Sequence, residues 1–81
     1  MSYVVKYDSN KILEHDICMS WSEAIAAVSV IAEQKTGELG MKPICLLRAN
    51  GQDICNANGY IRTHSFASGN AIYIVAAALD V

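Results

Sequence analysis

Tyr3, Val5 and Tyr7 alternate with Val4 and Lys6, the two-residue period of a strand, and the turn formers Asp8-Ser9-Asn10-Lys11 follow. Ile12 to Cys18 resumes a strand-like pattern, so the chain is expected to open with a β-hairpin. The period then changes. Trp21, Ala24, Ile25, Val28, Ile31 and Ala32 recur at i, i+3, i+4 spacing and form one apolar stripe of a helix. Ser20 stands three residues before Glu23, the S-x-x-E pattern in which each side chain accepts a hydrogen bond from the other's free backbone N–H. The spacing predicts a helix from Trp21 to Thr36, with Lys35 in its last turn and Gly37 as its left-handed stop. A helix of that length runs ~24 Å and spans several strands.

Past a loop from Gly37 to Pro43, the segments Ile44–Ala49 and Gln52–Cys55 flank Asn50-Gly51, a strong hairpin signal. A second Asn-Gly, Asn58-Gly59, introduces a strand from Tyr60 to Phe66, and Ser68-Gly69-Asn70 turns the chain into Ala71–Val81. In that last segment Tyr73, Val75 and Leu79 fall on one side and Ile72 and Ile74 on the other. A strand apolar on both sides belongs in the middle of a sheet. The competing reading of its end is a short terminal helix over Ala76-Ala77-Ala78-Leu79, which has high helix propensity. The expected fold is α+β: an antiparallel sheet of four to six strands with one α-helix packed on one face, in the order β-β-α-β-β-β-β.

One amphipathic helix covers only one side of such a sheet. Ile44, Leu46, Ile72 or their opposite-side neighbours are then left facing water unless a second chain covers them. Composition points the same way. With glycine counted and tyrosine left out, the apolar share is about 54%, above the usual ~45–50%, and charged residues are 17% against the usual ~25%. A short chain has proportionally more surface to keep polar, although alanine, tolerated on surfaces, supplies part of the excess. Residues 1–81 are expected to form one α+β domain.

The formal charge of −2 comes from six basic and eight acidic residues spread along the chain without a run of either sign. Nucleic acid demands a clustered basic face, so it is not the expected partner. No apolar stretch reaches the ~18 residues of a membrane span, and the first residues lack the basic and apolar segments of an export signal. No membrane attachment is expected, and the expected location is the cytoplasm. Three cysteines without an export signal read as free thiols in a reducing compartment.

Candidate chemistry is sparse. A zinc site would have to draw its ligands from His15, Cys18, Cys45, Cys55 and His64, and no C-x-x-C pair is present. His15 and Cys18, three apart on a strand, fall on opposite sides, as do Cys45 and Cys55 across the expected hairpin. The cysteines sit mostly beside Ile, Leu or Met, which suits burial better than nucleophilic work. Neither glycine-rich phosphate motif occurs, so no catalytic, metal or cofactor site is expected. One segment stands out: Tyr60, Arg62, His64 and Phe66 occupy alternate positions and share one side of a regular strand. Tyrosine and arginine often supply contact energy at protein interfaces, which makes these four the candidate partner-binding residues. Against that stands a half-buried strand with Tyr60 and Phe66 in the core and Arg62 reaching out to water, a reading that the small polar Thr63 and Ser65 on the other side favour.

The expected function is a small non-enzymatic protein-binding module whose partner is a protein, including a second copy in a homodimer. In general character alone, the chain resembles the small inhibitor or accessory proteins of phage and mobile elements. The competing expectation is a small-ligand or enzymatic pocket at a subunit interface around Tyr60, Arg62 and His64.

Overall fold

The computed structural model describes residues 2–9, 12–18, 20–48, 51 and 59–77. Among them run β1 (Ser2–Ser9), β2 (Ile12–Cys18), α1 (Trp21–Leu39), β3 (Ile44–Cys45), β4 (Tyr60–Ser65) and β5 (Ala71–Ala77). The strands form a five-stranded antiparallel sheet in the order β2-β1-β5-β4-β3, with α1 packed on one face. This is the α+β class expected from the pattern.

The opening alternation places its residues as expected: Tyr3, Val5 and Tyr7 are buried beneath the helix, while Val4 and Lys6 are half-buried on the other face. β1 pairs with β2 from Tyr3↔Cys18 to Ser9↔Ile12, and with β5 from Ser2↔Ala77 to Asp8↔Ala71. β5 therefore lies in the middle of the sheet, as a strand apolar on both sides should. Its residues 71–77 are strand, so the competing helix reading does not hold for Ala76 and Ala77; Ala78 to Val81 lie outside the described residues. Ile72 and Ile74, fully buried, join Val5 and Val28 in the core.

Helix α1 begins where the capping pattern says. Ser20 has extended backbone, and its Oγ accepts a hydrogen bond from the Glu23 N–H at 3.2 Å. The stripe is buried along Ala24, Val28, Ile31 and Ala32, and Trp21 meets Tyr3 edge-on at 5.6 Å between ring centroids. The stop, however, is not Gly37. The helix runs on to Leu39 and ends at Gly40, whose φ of 69° is the left-handed cap and whose N–H donates to the Thr36 carbonyl at 3.0 Å. A glycine inside a helix costs only ~1 kcal/mol relative to alanine, and Leu39, one turn beyond Lys35, packs on the core. That packing carries the helix past Gly37.

Because the helix runs on to Leu39, Lys35 does not stand in its last turn as expected, and that turn carries no basic residue. Lys35 lies on the buried stripe, 5% exposed, with Nζ 4.5 Å from the centre of the Tyr7 ring and 3.3 Å from Glu38 Oε1. Its four-carbon stem extends the apolar stripe while its ammonium meets a ring face and a carboxylate.

The expected hairpin about Asn50-Gly51 is corrected. β3 spans Ile44 and Cys45 alone and pairs with β4, as Ile44↔Ser65 and Cys45↔His64, with one further bond from the Leu46 N–H to the Thr63 carbonyl at 2.7 Å. A tight hairpin turn at Asn-Gly needs positive φ at both residues. The positive-φ glycines are Gly40, Gly59 and Gly69, and Gly51 is helical instead. The expected partner strand Gln52–Cys55 lies outside the described residues.

Candidate functional surface

Adjacent strands set their side chains in rows across the sheet, because directly opposed residues share a face. On the helix side, Val5, Ile74 and Ile61 form one row, and Tyr7, Ile72, His64 and Cys45 the next. The opposite, outer face begins with a row running Ile17, Val4, Val75, Tyr60 across β2, β1, β5 and β4. Beside it lies the row Lys6, Tyr73, Arg62. Beyond, Ser65 and Ile44 follow Ala71 toward the sheet edge.

The outer face is open. Ile17 is 59% exposed, Ile44 68% and Tyr60 55%, while Val4, Val75 and Tyr73 are only half-buried. The helix rests on β1, β2 and β5 from the other side. Among the described residues, no helix or second sheet lies on the outer face. The side chains there are nevertheless ordered against each other: the Tyr60 and Tyr73 rings meet edge-on at 6.2 Å, and the Arg62 guanidinium lies 5.5 Å from the centre of the Tyr73 ring.

The four candidate partner-binding residues are split between the faces. β4 carries a bulge between Arg62 and His64: Arg62 opposes Tyr73, yet His64 opposes Ile72, so β4 advances two residues while β5 advances one. The extra residue, Thr63, is fully buried, and its hydroxyl donates to the Ile72 carbonyl at 3.2 Å. Before the bulge, Tyr60 and Arg62 face outward. After it, His64 and Phe66 fall on the helix side, and Phe66 is core, 2% exposed and edge-on to Tyr7 at 6.5 Å. Alternation assigns a shared face only while pairing stays regular.

The pocket around Tyr60, Arg62 and His64 therefore does not assemble on one face. His64 lies against Thr63, its Nδ1 3.1 Å from the hydroxyl oxygen, and partial burial holds its imidazole below the usual 6.5 by disfavouring the charged form. Cys18 is buried and Cys45 exposed. No group of three or more His, Cys, Asp and Glu arranged to hold a metal occurs among the described residues. No described helix is long and apolar enough to cross a membrane.

Two residues of the outer surface escaped the pattern reading. Within its own strand Ile17 carries no sign of a surface place, and Lys6 is only the polar half of an alternation. Both are found by carrying the period of two across paired strands, which requires the register. No protein-family model matches the chain, and no curated protein or solved structure is significantly similar to it.

Proposed function

We propose that this chain is a non-enzymatic protein-binding module that acts as an inhibitor or accessory protein and docks its partner, a second copy included, on the outer face of its sheet. The observation that carries this reading is the open row Ile17, Val4, Val75, Tyr60, continued by Tyr73 and Ile44. Covering the part of Ile17 or Ile44 still open to solvent is worth ~1–2 kcal/mol, so a partner that sheltered several of these side chains would gain usefully even after the cost of association. Tyr60 and Arg62 are the side chain types that dominate such contacts, and their mutual packing around Tyr73 lowers the ordering cost of binding. Lys6 and Arg62 bring positive charge amid apolar neighbours, a mixture that suits a protein surface better than a phosphate backbone.

The test is affinity capture from native lysate, comparing the natural chain with Tyr60→Asp and Ile17→Asp. Both sites are exposed, so melting temperatures should stay within a few degrees of the natural chain's. Proteins held by the natural chain should be lost with both variants. Retention unchanged by either substitution would place binding elsewhere on the molecule.

A further inference from the structure

The face of α1 turned away from the sheet carries a pattern of its own. Glu23, Ala26, Val30 and Glu33 follow one another at spacings of three and four, so they share one stripe. All four are exposed, Val30 by 64%. The stripe has an apolar middle between acidic ends. Lys35, the only basic residue within α1, is turned into the core. The outer sheet face shows the complementary arrangement: an apolar row, Ile17, Val4, Val75, Tyr60, beside a row in which the charged side chains are Lys6 and Arg62.

We infer that a second copy of this chain docks head to tail, laying the solvent stripe of its α1 on the outer sheet face of the first. This rests on the outer face being the docking surface, as proposed above, and it assigns the occupant. The dimensions agree. With the incoming helix along the strands, Val30 seated on Val4 and Val75 places Glu33 ~4.5 Å further on, and the Lys6–Arg62 row lies ~6.7 Å away, within reach of a glutamate side chain. Sheet-to-sheet pairing about a two-fold axis centred on these rows brings Lys6 and Arg62 near their own copies, and like charges repel. The helix stripe supplies the opposite sign. Each sheet then lies between two helices, its own and its neighbour's, and both apolar faces are sheltered. Such a contact joins two different surfaces, so it grows into chains or closes into a ring. Added salt weakens it through screening.

The experiment is sedimentation velocity with light scattering on the full chain from ~1 to ~100 μM, a range in which micromolar association becomes visible. Arg62→Glu disables the sheet surface and Val30→Glu the helix stripe. Both positions are exposed, and thermal melts verify that both variants fold. The natural chain should rise above its 8.8 kDa with concentration, and each variant should remain at 8.8 kDa. Mixed in equal amounts, the variants should form a one-to-one complex of twice that mass, because the intact helix of the Arg62→Glu copy meets the intact sheet of the Val30→Glu copy. Growth should stop there, since the remaining pair sets acid against acid. Association of Val30→Glu alone at natural strength overturns the head-to-tail contact. If Tyr60→Asp still abolishes that association, the sheet face remains the docking surface and only the assigned occupant is wrong. A natural chain and a mixture that both stay monomeric also overturn the inference, while loss of captured proteins by Tyr60→Asp would leave the docking-surface reading standing.

Discussion

Ile72 and Ile44 are the same side chain on opposite faces of one sheet, and replacing each by alanine measures how differently those faces are covered. Ile72 is fully buried and Ile44 is 68% exposed. Removing three carbons from a buried isoleucine forfeits ~2.4 kcal/mol of transfer free energy at ~0.8 per carbon. The cavity left beneath the helix raises this to ~3–4 kcal/mol, within the usual range for such a change. At Ile44 only about a third of the side chain is covered, so the same substitution costs ~0.8 kcal/mol. A domain of 81 residues has a total stability of ~4–12 kcal/mol, so Ile72→Ala removes a large part of it and Ile44→Ala little.

At ~4–8 °C per kcal/mol, the expected falls in melting temperature are ~12–30 °C and ~3–6 °C. Circular dichroism melts at ~1 μM suit the comparison, because micromolar self-association is then sparsely populated. Repeating them at ~100 μM adds a second reading: mass action raises the melting temperature of an associating chain, and Ile44→Ala should lose part of that rise. The reasoning fails if the two substitutions cost the same at low concentration. Equal losses would mean that the outer face is already sheltered within one copy, and the case for a docked partner would go with it.

His64 supplies a pH test. Its folded imidazole titrates below the unfolded value of 6.5, so above 6.5 both states are neutral; below it the unfolded chain takes the proton more readily, and stability falls until the folded pKa is passed. Denaturant titrations from pH 8 to pH 5 should show His64→Gln losing less stability on acidification than the natural chain, and parallel curves would refute the assignment. The two glycines at the end of α1 should respond in opposite directions in the same assay: Gly37→Ala, with nothing within 4 Å of the added carbon, should stabilise by ~0.5–1 kcal/mol, whereas Gly40→Ala at φ 69° should destabilise by ~1–2 kcal/mol. Destabilisation by Gly37→Ala would contradict the helix continuing through it.

What could be read from the chain was what repeats. The two-residue period of Tyr3, Val5 and Tyr7 and the helical stripe from Trp21 to Ala32 each contain several votes for one arrangement, and both are found in the fold. Single-residue signals were weaker. Gly37 is a local stop signal, and Leu39 packing on the core carries the helix past it to Gly40. Lys35 lies four beyond Ile31 and seven beyond Val28, which places it on the stripe, and the Tyr7 ring and Glu38 receive its ammonium there. The Asn50-Gly51 signal is local, and Gly51 is helical rather than in the positive-φ conformation that a tight hairpin turn needs. Of the surface, Tyr60 and Arg62 were legible, while the companions Ile17 and Lys6 depended on a register that only pairing reveals.

The bulge in β4 joins these strands of argument. Were the strand regular from Tyr60 to Phe66, Phe66 would stand outward with Tyr60 and Arg62. Inserting Thr63 sacrifices one place in the ladder, a cost limited because its buried hydroxyl finds the Ile72 carbonyl. In return Phe66 enters the core against Tyr7, and truncating a buried phenylalanine typically costs ~3–5 kcal/mol. Burial of Phe66 therefore outweighs the irregularity, and the same step decides which residues remain available to a partner. The strand turns half of its candidate set to the helix side, Phe66 into the core and His64 to a half-buried place, and the other half joins neighbours from the other strands. A contact surface on this chain is a property of rows across the sheet, which is why no single segment displays it and no short motif announces it.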